Sequence, residues 1–391
     1  MLNIKVTNAM FALLRTVLVE GATLTEGDAK IIQDNIEEIY LISKRNDMAH
    51  LVGYALEKAE LISSDNPFFV KLQEQAYLAI FRCEGMEYEI SRMRKVFEDS
   101  GIDFVLLKGA VMRKLYPEGW MRTSSDIDIL VRADDHERAG DILADKLRYK
   151  KVMEGTHDHS FFSEGGVHVE LHFTLVEEGR ANRAKDVLSE VWSCVSIKEG
   201  SEHEYELSPS MFYFYHIAHL AKHFGATGSG MRPFIDIWLI NNRMEKNEKE
   251  REEMLLRGSL NTFAQLCDQL SAHWLEEQEL CGTTAQEFEY FVLNCGIYGS
   301  EENRILIAKH NNGGTFVYIL RRLFLPYKFL AMLYPVLKKH KWLMPFCQVA
   351  RWCKLFSRPM AKKAIAEVKI SRTATQDDVD GMQAFLTEIG L

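Results

Sequence analysis

The stretch RTSSDIDILV, residues Arg122 to Val131, constrains the fold more than any other part of this chain. Ile127, Ile129 and Val131 alternate with Asp126, Asp128 and Leu130, the two-residue period of a β-strand buried on one side. Aspartate has poor strand propensity, and two like charges on one strand face repel each other. A strand that carries both therefore needs a neighbour that supplies opposite charge.

The surroundings of this strand divide the sequence by rhythm. Residues 1–98 read as helices: apolar residues recur at helical spacing in AKIIQDNIEEIYLISKRN and AHLVGYALEKAELI, and a long amphipathic pattern ends at Gly101. Residues 99–197 read as a mixed sheet with covering helices. DFVLLK is a short strand, Gly109 and AVMRKLY make a turn and a short helix, and DIDILV is the next strand. Asp134 is placed as the N-cap of DHERAGDILADKLRY, and HSFFSEGGVHVELHF is a hairpin turning at Glu164, Gly165 and Gly166. Residues 198–391 read as helical again, beginning with Ser208 and Pro209 as helix-start signals. The expected class is α+β: a small mixed sheet flanked by N- and C-terminal helical domains.

No run of 18 or more uncharged apolar residues occurs, so no transmembrane helix is expected. Arg15 interrupts the apolar N-terminal stretch, which reads as an amphipathic helix and not a signal peptide. Seven scattered cysteines without a CxxC pair point to reduced thiols and a cytoplasmic location. The net charge of −9 conceals an asymmetry: Arg304 to Arg372 holds 15 Lys/Arg and one acid, against 32 basic and 55 acidic residues elsewhere. That segment is either a solvated basic helical face or a contact for an anionic partner such as nucleic acid, membrane surface or phosphorylated substrate.

Three features carry chemistry. Lys108-Gly109 stands at a strand-to-helix turn, where glycine lets backbone approach a phosphate and a helix N-terminus offers N–H groups. Asp126 and Asp128 project the same way from their strand. Glu170 in VHVELHF points opposite to Val169 and Leu171, alongside His168 and His172. Three neighbouring carboxylates call for a divalent metal, and Mg²⁺ takes oxygen ligands together with substrate phosphates. Arg122 is a candidate phosphate partner or a solvated loop residue. Ser125, beside Asp126, joins the candidate phosphate-binding set.

LLKGAVMRKLYPEGWMRTSSDIDILV followed by VHVELHF resembles the polymerase-β-like nucleotidyltransferase superfamily, and within it a branch of bacterial proteins with L-K-G, R-x-x-x-D-[IL]-D and a third acid before Leu-His. The resemblance implies that Asp126, Asp128 and Glu170 ligate Mg²⁺ or Mn²⁺. It implies that Glu170 helps deprotonate an acceptor hydroxyl, and that the Gly109 turn cradles the triphosphate of an NTP co-substrate. Ala110 departs from the serine most members carry there, and Lys108 is the candidate replacement charge. A weaker likeness continues through residues 211–238: His219, Lys222 and His223, then Arg232 and Asp236. Lys222, His223 and Arg232 are candidate triphosphate or acceptor contacts, and Asp236 is expected to tie to Arg232 or a histidine. His216, His219 and His223 form one helical stripe, read as packing residues, site lining or, least simply, a metal set lacking a fourth ligand.

The expected function is transfer of a nucleoside monophosphate from an NTP to an acceptor hydroxyl, with release of pyrophosphate. A small molecule or protein is favoured over nucleic acid as acceptor. The alternatives are a non-catalytic nucleotide-binding or protein-interaction module, and a toxin-like enzyme that modifies RNA through the basic segment.

Overall fold

A computed structural model describes residues 3–176, 184–297, 299–312, 324–355 and 375–391. The contacts divide the chain into two compact units: Met1–Ala221 with Gly230–Ile297 and Gly390, and Lys222–Ser229 with Tyr298–Ile389 and Leu391.

In the first unit, five helices precede the sheet: α1 (Ile4–Leu18), α2 (Glu26–Asp34), α3 (Ile36–Arg45), α4 (Ala49–Lys58) and α5 (Phe69–Glu98). Thr25 caps α2 by accepting from the Asp28 amide at 3.0 Å. The thirty-residue α5 ends as its sequence pattern predicts: the Ile102 amide folds back to the Phe97 carbonyl, and Gly101 adopts φ +63, a left-handed conformation that favours glycine. The strands and helices that follow are β1 (Phe104–Leu106), α6 (Lys108–Met112), β2 (Asp126–Val131), α7 (His136–Leu147), β3 (Lys150–Glu154), β4 (Asp158–Phe162) and β5 (His168–His172). After them come α8 (Lys185–Ser189), β6 (Val195–Ile197), β7 (Glu204–Leu207) and α9 (Pro209–Phe224). The unit continues with α10 (Arg232–Arg243), α11 (Glu248–Arg257), α12 (Asn261–Glu276) and α13 (Thr283–Asn294).

The seven strands form one mixed sheet in the order β3-β4-β5-β2-β1-β7-β6. β2 runs parallel to β5, and β1 parallel to β7; the other neighbours are antiparallel. α5 and α7 cover one face. Ile127, Ile129 and Val131 of β2 and Val169 and Leu171 of β5 pack there with Phe97, Leu143 and Phe161. Each such side chain, fully buried, contributes about 1.5–3 kcal/mol. The hairpin between β4 and β5 turns where the sequence places it, with the Gly166 amide bonded to the Ser163 carbonyl.

Two local expectations are corrected. α7 starts at His136 after a 3₁₀ turn over Ala133–Asp135, so Asp135 and not Asp134 occupies the N-cap, with no side-chain cap bond. The sheet also continues beyond residue 197 to β7, a short strand whose Glu204 is buried against Arg94 at 2.9 Å and Lys198 at 2.8 Å. Tyr205 and Leu207 alternate with the two acids over four residues only, and the buried acid Glu204 is made acceptable in the sheet by Arg94 and Lys198.

The loop before β2 is held by a buried polar network. Arg122 donates through Nε to both Asp236 oxygens at 2.9 Å and through Nη2 at 2.8 Å, and the Tyr116 hydroxyl donates to the same carboxylate at 2.8 Å. His216 Nε2 stands 3.6 Å away. Burial opposes the Asp236 charge, but Arg122 and His216 hold its carboxyl well below the usual range. Asp236 is thus tied to Arg122 and a histidine, while Arg232 pairs with Asp47. The α3–α4 turn joins this arrangement. Thr123 donates to Asp47 at 2.7 Å, the Met231 amide donates to Asn46 at 3.0 Å, and His50 Nε2 donates to the Met121 carbonyl at 2.9 Å.

The second unit, described by itself, contains α14 (Glu301–Asn312), α15 (Tyr327–Leu333), α16 (Val336–Lys339), α17 (Met344–Leu355) and α18 (Gln376–Glu388). Leu330, Ala331, Leu337 and Cys347 form its local core, and Thr375 with Asp378 makes a capping box at α18. Much of the basic segment 304–372 (313–323 and 356–372) lies outside the described residues. Among the described residues, no helix is long and apolar enough to cross a membrane.

Two stability predictions follow from the network. Asp236→Asn leaves the buried Arg122 guanidinium uncompensated and should cost about 3–5 kcal/mol in urea unfolding; a loss below about 1 kcal/mol would contradict the assigned role. Burial lowers the His50 pKa from 6.5 to about 4, so the unfolded chain takes up this proton first as pH falls. The contribution is intact above pH 6.5 and is lost between 6.5 and 4, amounting to about 3 kcal/mol. His50→Gln should therefore flatten the acid limb of the stability curve, and parallel curves for both proteins would refute this.

Candidate functional site

The parallel register of β2 and β5 builds the site. Asp126 faces His168, Asp128 faces Glu170 and Leu130 faces His172. Strand alternation then puts Asp126, Asp128, Glu170, His168 and His172 on the side opposite Ile127, Ile129, Val169 and Leu171. The apolar residues hold the back of the strands against α5 and α7, while the acids stand together on the other face.

Asp128 is 3% exposed, a burial that an isolated carboxylate does not tolerate. Lys108 Nζ lies 2.7 Å from its Oδ1 and His172 Nε2 lies 3.0 Å from the same atom. Burial pushes the Asp128 pKa up, but the Lys108 charge and the His172 hydrogen bond hold it far below the usual carboxylate range. His172 also stands 3.6 Å from Glu170 Oε2. Burial works against its proton, yet the bonds to Asp128 and Glu170 raise its pKa to about 9. Burial likewise opposes the Lys108 charge, and Tyr215 with Asp128 more than restores it.

Asp126 differs. Burial, then the charges of Asp128 and Glu170, raise its pKa above the ordinary value. Three carboxylates face two cationic side chains, so the cluster retains excess negative charge around Asp126. Asp126, His168 and Glu170 form one potential ligand set and Asp128, Glu170 and His172 a second; within each, the ligand atoms lie within 4.8 Å of one another. Ser160, opposite Glu170 on β4, is 2% exposed, and its Oγ has no hydrogen-bond partner among the described residues. Clustered carboxylate oxygens, excess negative charge and an unpartnered buried hydroxyl fit a hard divalent cation.

The remaining candidates are distributed unevenly. Lys108 takes φ +37 at the start of α6 and reaches Asp128, so its ammonium sits on the acid cluster. Gly109 follows in helical conformation, and a Cβ there would stand 2.7 Å from Ser124 Oγ. Close packing on the loop before β2 therefore demands glycine here. Ser125 is exposed and hydrogen-bonds Asp126. Arg122 is spent on Asp236 and Thr123, and Arg232 on Asp47 and Thr123, so the bonds these arginines make lead away from the acids. Lys222, which is exposed, and His223 belong to the second unit. His172 stands two residues after Glu170 in the sequence, where nothing local shows its bond to Asp128. Its parity with Asp128 across a parallel pair is the signal that was available, and the pairing itself had to be seen.

No curated protein matches the chain. A crystal structure of an antigenic nucleotidyltransferase-like protein from Paracoccidioides brasiliensis is similar over 50% of this chain and 93% of that one, at 15% identity and a TM-score of 0.33, a likeness too loose to bear on the site. Residues 33–276 match a family described as uncharacterised nucleotidyltransferase, a span that runs well beyond the acidic motifs on both sides. With more than half its length matched, the chain belongs to this nucleotidyltransferase family.

Proposed function

We propose that the protein is a Mg²⁺- or Mn²⁺-dependent nucleotidyltransferase that moves a nucleoside monophosphate from an NTP to an acceptor hydroxyl. The observation that carries this reading is the β2–β5 register, which sets Asp128 directly opposite Glu170 with Asp126 on the same face. Family membership supplies the general nucleotidyltransferase role. Asp126, Asp128 and Glu170 would hold the divalent ion, which supplies charge neutralisation for the carboxylates and the triphosphate.

The chain's own residues do the rest by positioning and electrostatics. The acceptor oxygen bonds to the α-phosphorus, the α–β phosphoanhydride bond breaks, and pyrophosphate leaves. Glu170, with a quarter of its side chain exposed, is the group in reach of an incoming hydroxyl and accepts its proton. Lys108 presents a permanent point charge beside Asp128, where triphosphate and acids meet. Ser125, exposed beside Asp126, lines the approach, and Gly109 lets the loop before β2 pack closely beneath it. The working division is a helical region over residues 1–98, a transfer core over 99–197 that β7 extends to Leu207, and a helical region after it.

A second reading is favoured by one observation. Ala110, at 5% exposure, is packed within the hydrophobic cluster and offers no hydroxyl where a phosphate donor would serve. On that reading the chain is a nucleotide-binding module without efficient chemistry.

Incubation with each labelled NTP, Mg²⁺ or Mn²⁺ and a cell extract separates the two. Label transfer and pyrophosphate release are expected, and Asp126→Asn/Asp128→Asn should reduce both at least about 100-fold. Turnover unchanged in that variant would overturn the proposed site; tight NTP binding by calorimetry with no pyrophosphate release from any acceptor would favour the module.

A further inference from the structure

The sheet has a second cluster of ligating side chains on its other face. In β4, Asp158, Ser160 and Phe162 share the side of Glu170, so His159 and Phe161 point toward α7. His159 pairs across the sheet with Leu171 on β5 and Glu154 on β3. His136 and Glu137 open α7. One ligand atom each from His136, Glu137 and His159 lies within 4.8 Å of the others.

Three details point to a metal ion. His136 Nδ1 donates to the Ala133 carbonyl at 2.8 Å, which fixes the tautomer and leaves the Nε2 lone pair available. A backbone carbonyl on the far ring nitrogen is the usual orienting contact of a metal-bound histidine. That Nε2 stands 3.2 Å from Glu137 Oε1. A lone pair and a carboxylate oxygen at this distance need a proton or a cation between them, and two ligands on one tetrahedral zinc stand about 3.3 Å apart.

His159 is the independent observation. It is 6% exposed, and its buried Nδ1 has no hydrogen-bond partner among the described residues. Leaving such a group unsatisfied is unfavourable in a buried position. The Phe173 ring, 4.5 Å from the His136 ring and 5.7 Å from that of His159, forms an apolar wall beside them. Lys151 approaches the other Glu137 oxygen at 3.9 Å and Glu154 at 3.4 Å, so Oε1 is left to face His136.

We propose that His136, Glu137 and His159 form a transition-metal site, separate from the acidic face, that ties the start of α7 to β4. Two imidazoles and one carboxylate select a zinc-class ion over Mg²⁺, and three protein ligands leave a fourth position for water or another donor. The site lies behind the strand that carries Ser160, so an ion there stiffens the sheet from the side opposite the acids.

Co²⁺ titration of the full chain, followed by visible absorption, tests this. An Asp126→Asn/Asp128→Asn/Glu170→Gln variant, which disables the acidic face, should still bind one equivalent of Co²⁺ with a tetrahedral spectrum. Zn²⁺ should displace that ion and excess Mg²⁺ should not. Adding His136→Gln or Glu137→Gln, both on accessible side chains, should weaken binding at least about 100-fold, with far-UV circular dichroism in EDTA unchanged. The proposal is overturned if the acidic-face variant binds no Co²⁺, or if His136→Gln and Glu137→Gln bind it as tightly as their parent.

Discussion

A carboxylate buried to 3% exposure in the middle of a parallel strand pair is the constraint around which the candidate site is arranged. Asp128 stays ionised because an ammonium from the start of α6 and an imidazolium from β5 reach the same oxygen. Remove either and the charge is stranded in a low-dielectric interior, where desolvation costs several kcal/mol. These contacts tie α6, β2 and β5 into one geometry. They also leave Asp126 and Glu170 as the less compensated acids at the open side of the cluster.

That geometry depends on the loop that enters β2. Its Ser124 side chain packs close over Gly109, and its polar groups are claimed by Asp236, Asp47 and His50. Arg122 therefore orders the polypeptide that presents Asp126 instead of reaching a ligand itself. Buried arginine–carboxylate ties of this kind yield little net stability when complete and cost much when broken, so they act as a register device for the loop. The N-terminal helices contribute through the α3–α4 turn, which supplies Asn46, Asp47 and His50.

The sheet separates two kinds of chemistry by strand alternation alone. One face gathers three carboxylates, with His168 and His172 beside them, a set richer in oxygen donors. On the other, at the edge of the apolar layer, β4 and the start of α7 gather imidazoles and a carboxylate. Neighbouring positions on a single strand, His159 and Ser160, thus serve opposite sides.

Much of this was legible in the chain itself. The helical N-terminal region, the Gly101 stop, the Gly165-Gly166 hairpin and the parity of Asp126, Asp128 and Glu170 all follow from local periodicity and turn chemistry. The β6–β7 pair was not legible, because EYEL alternates over four residues only and buries Glu204, whose partners Arg94 and Lys198 the local pattern does not show. The partner of Arg122 was equally hidden, since Asp236 lies more than a hundred residues away in sequence.

By itself the sequence determined which residues share a strand face, because a period of two is a local property of the backbone. Only the tertiary structure decided which strand lies beside β2, and hence that Lys108 and His172 meet on Asp128 while Arg122 and Arg232 turn to other partners. Strand order and ion pairing are settled by contacts between distant segments, where burial makes each charge choose one partner.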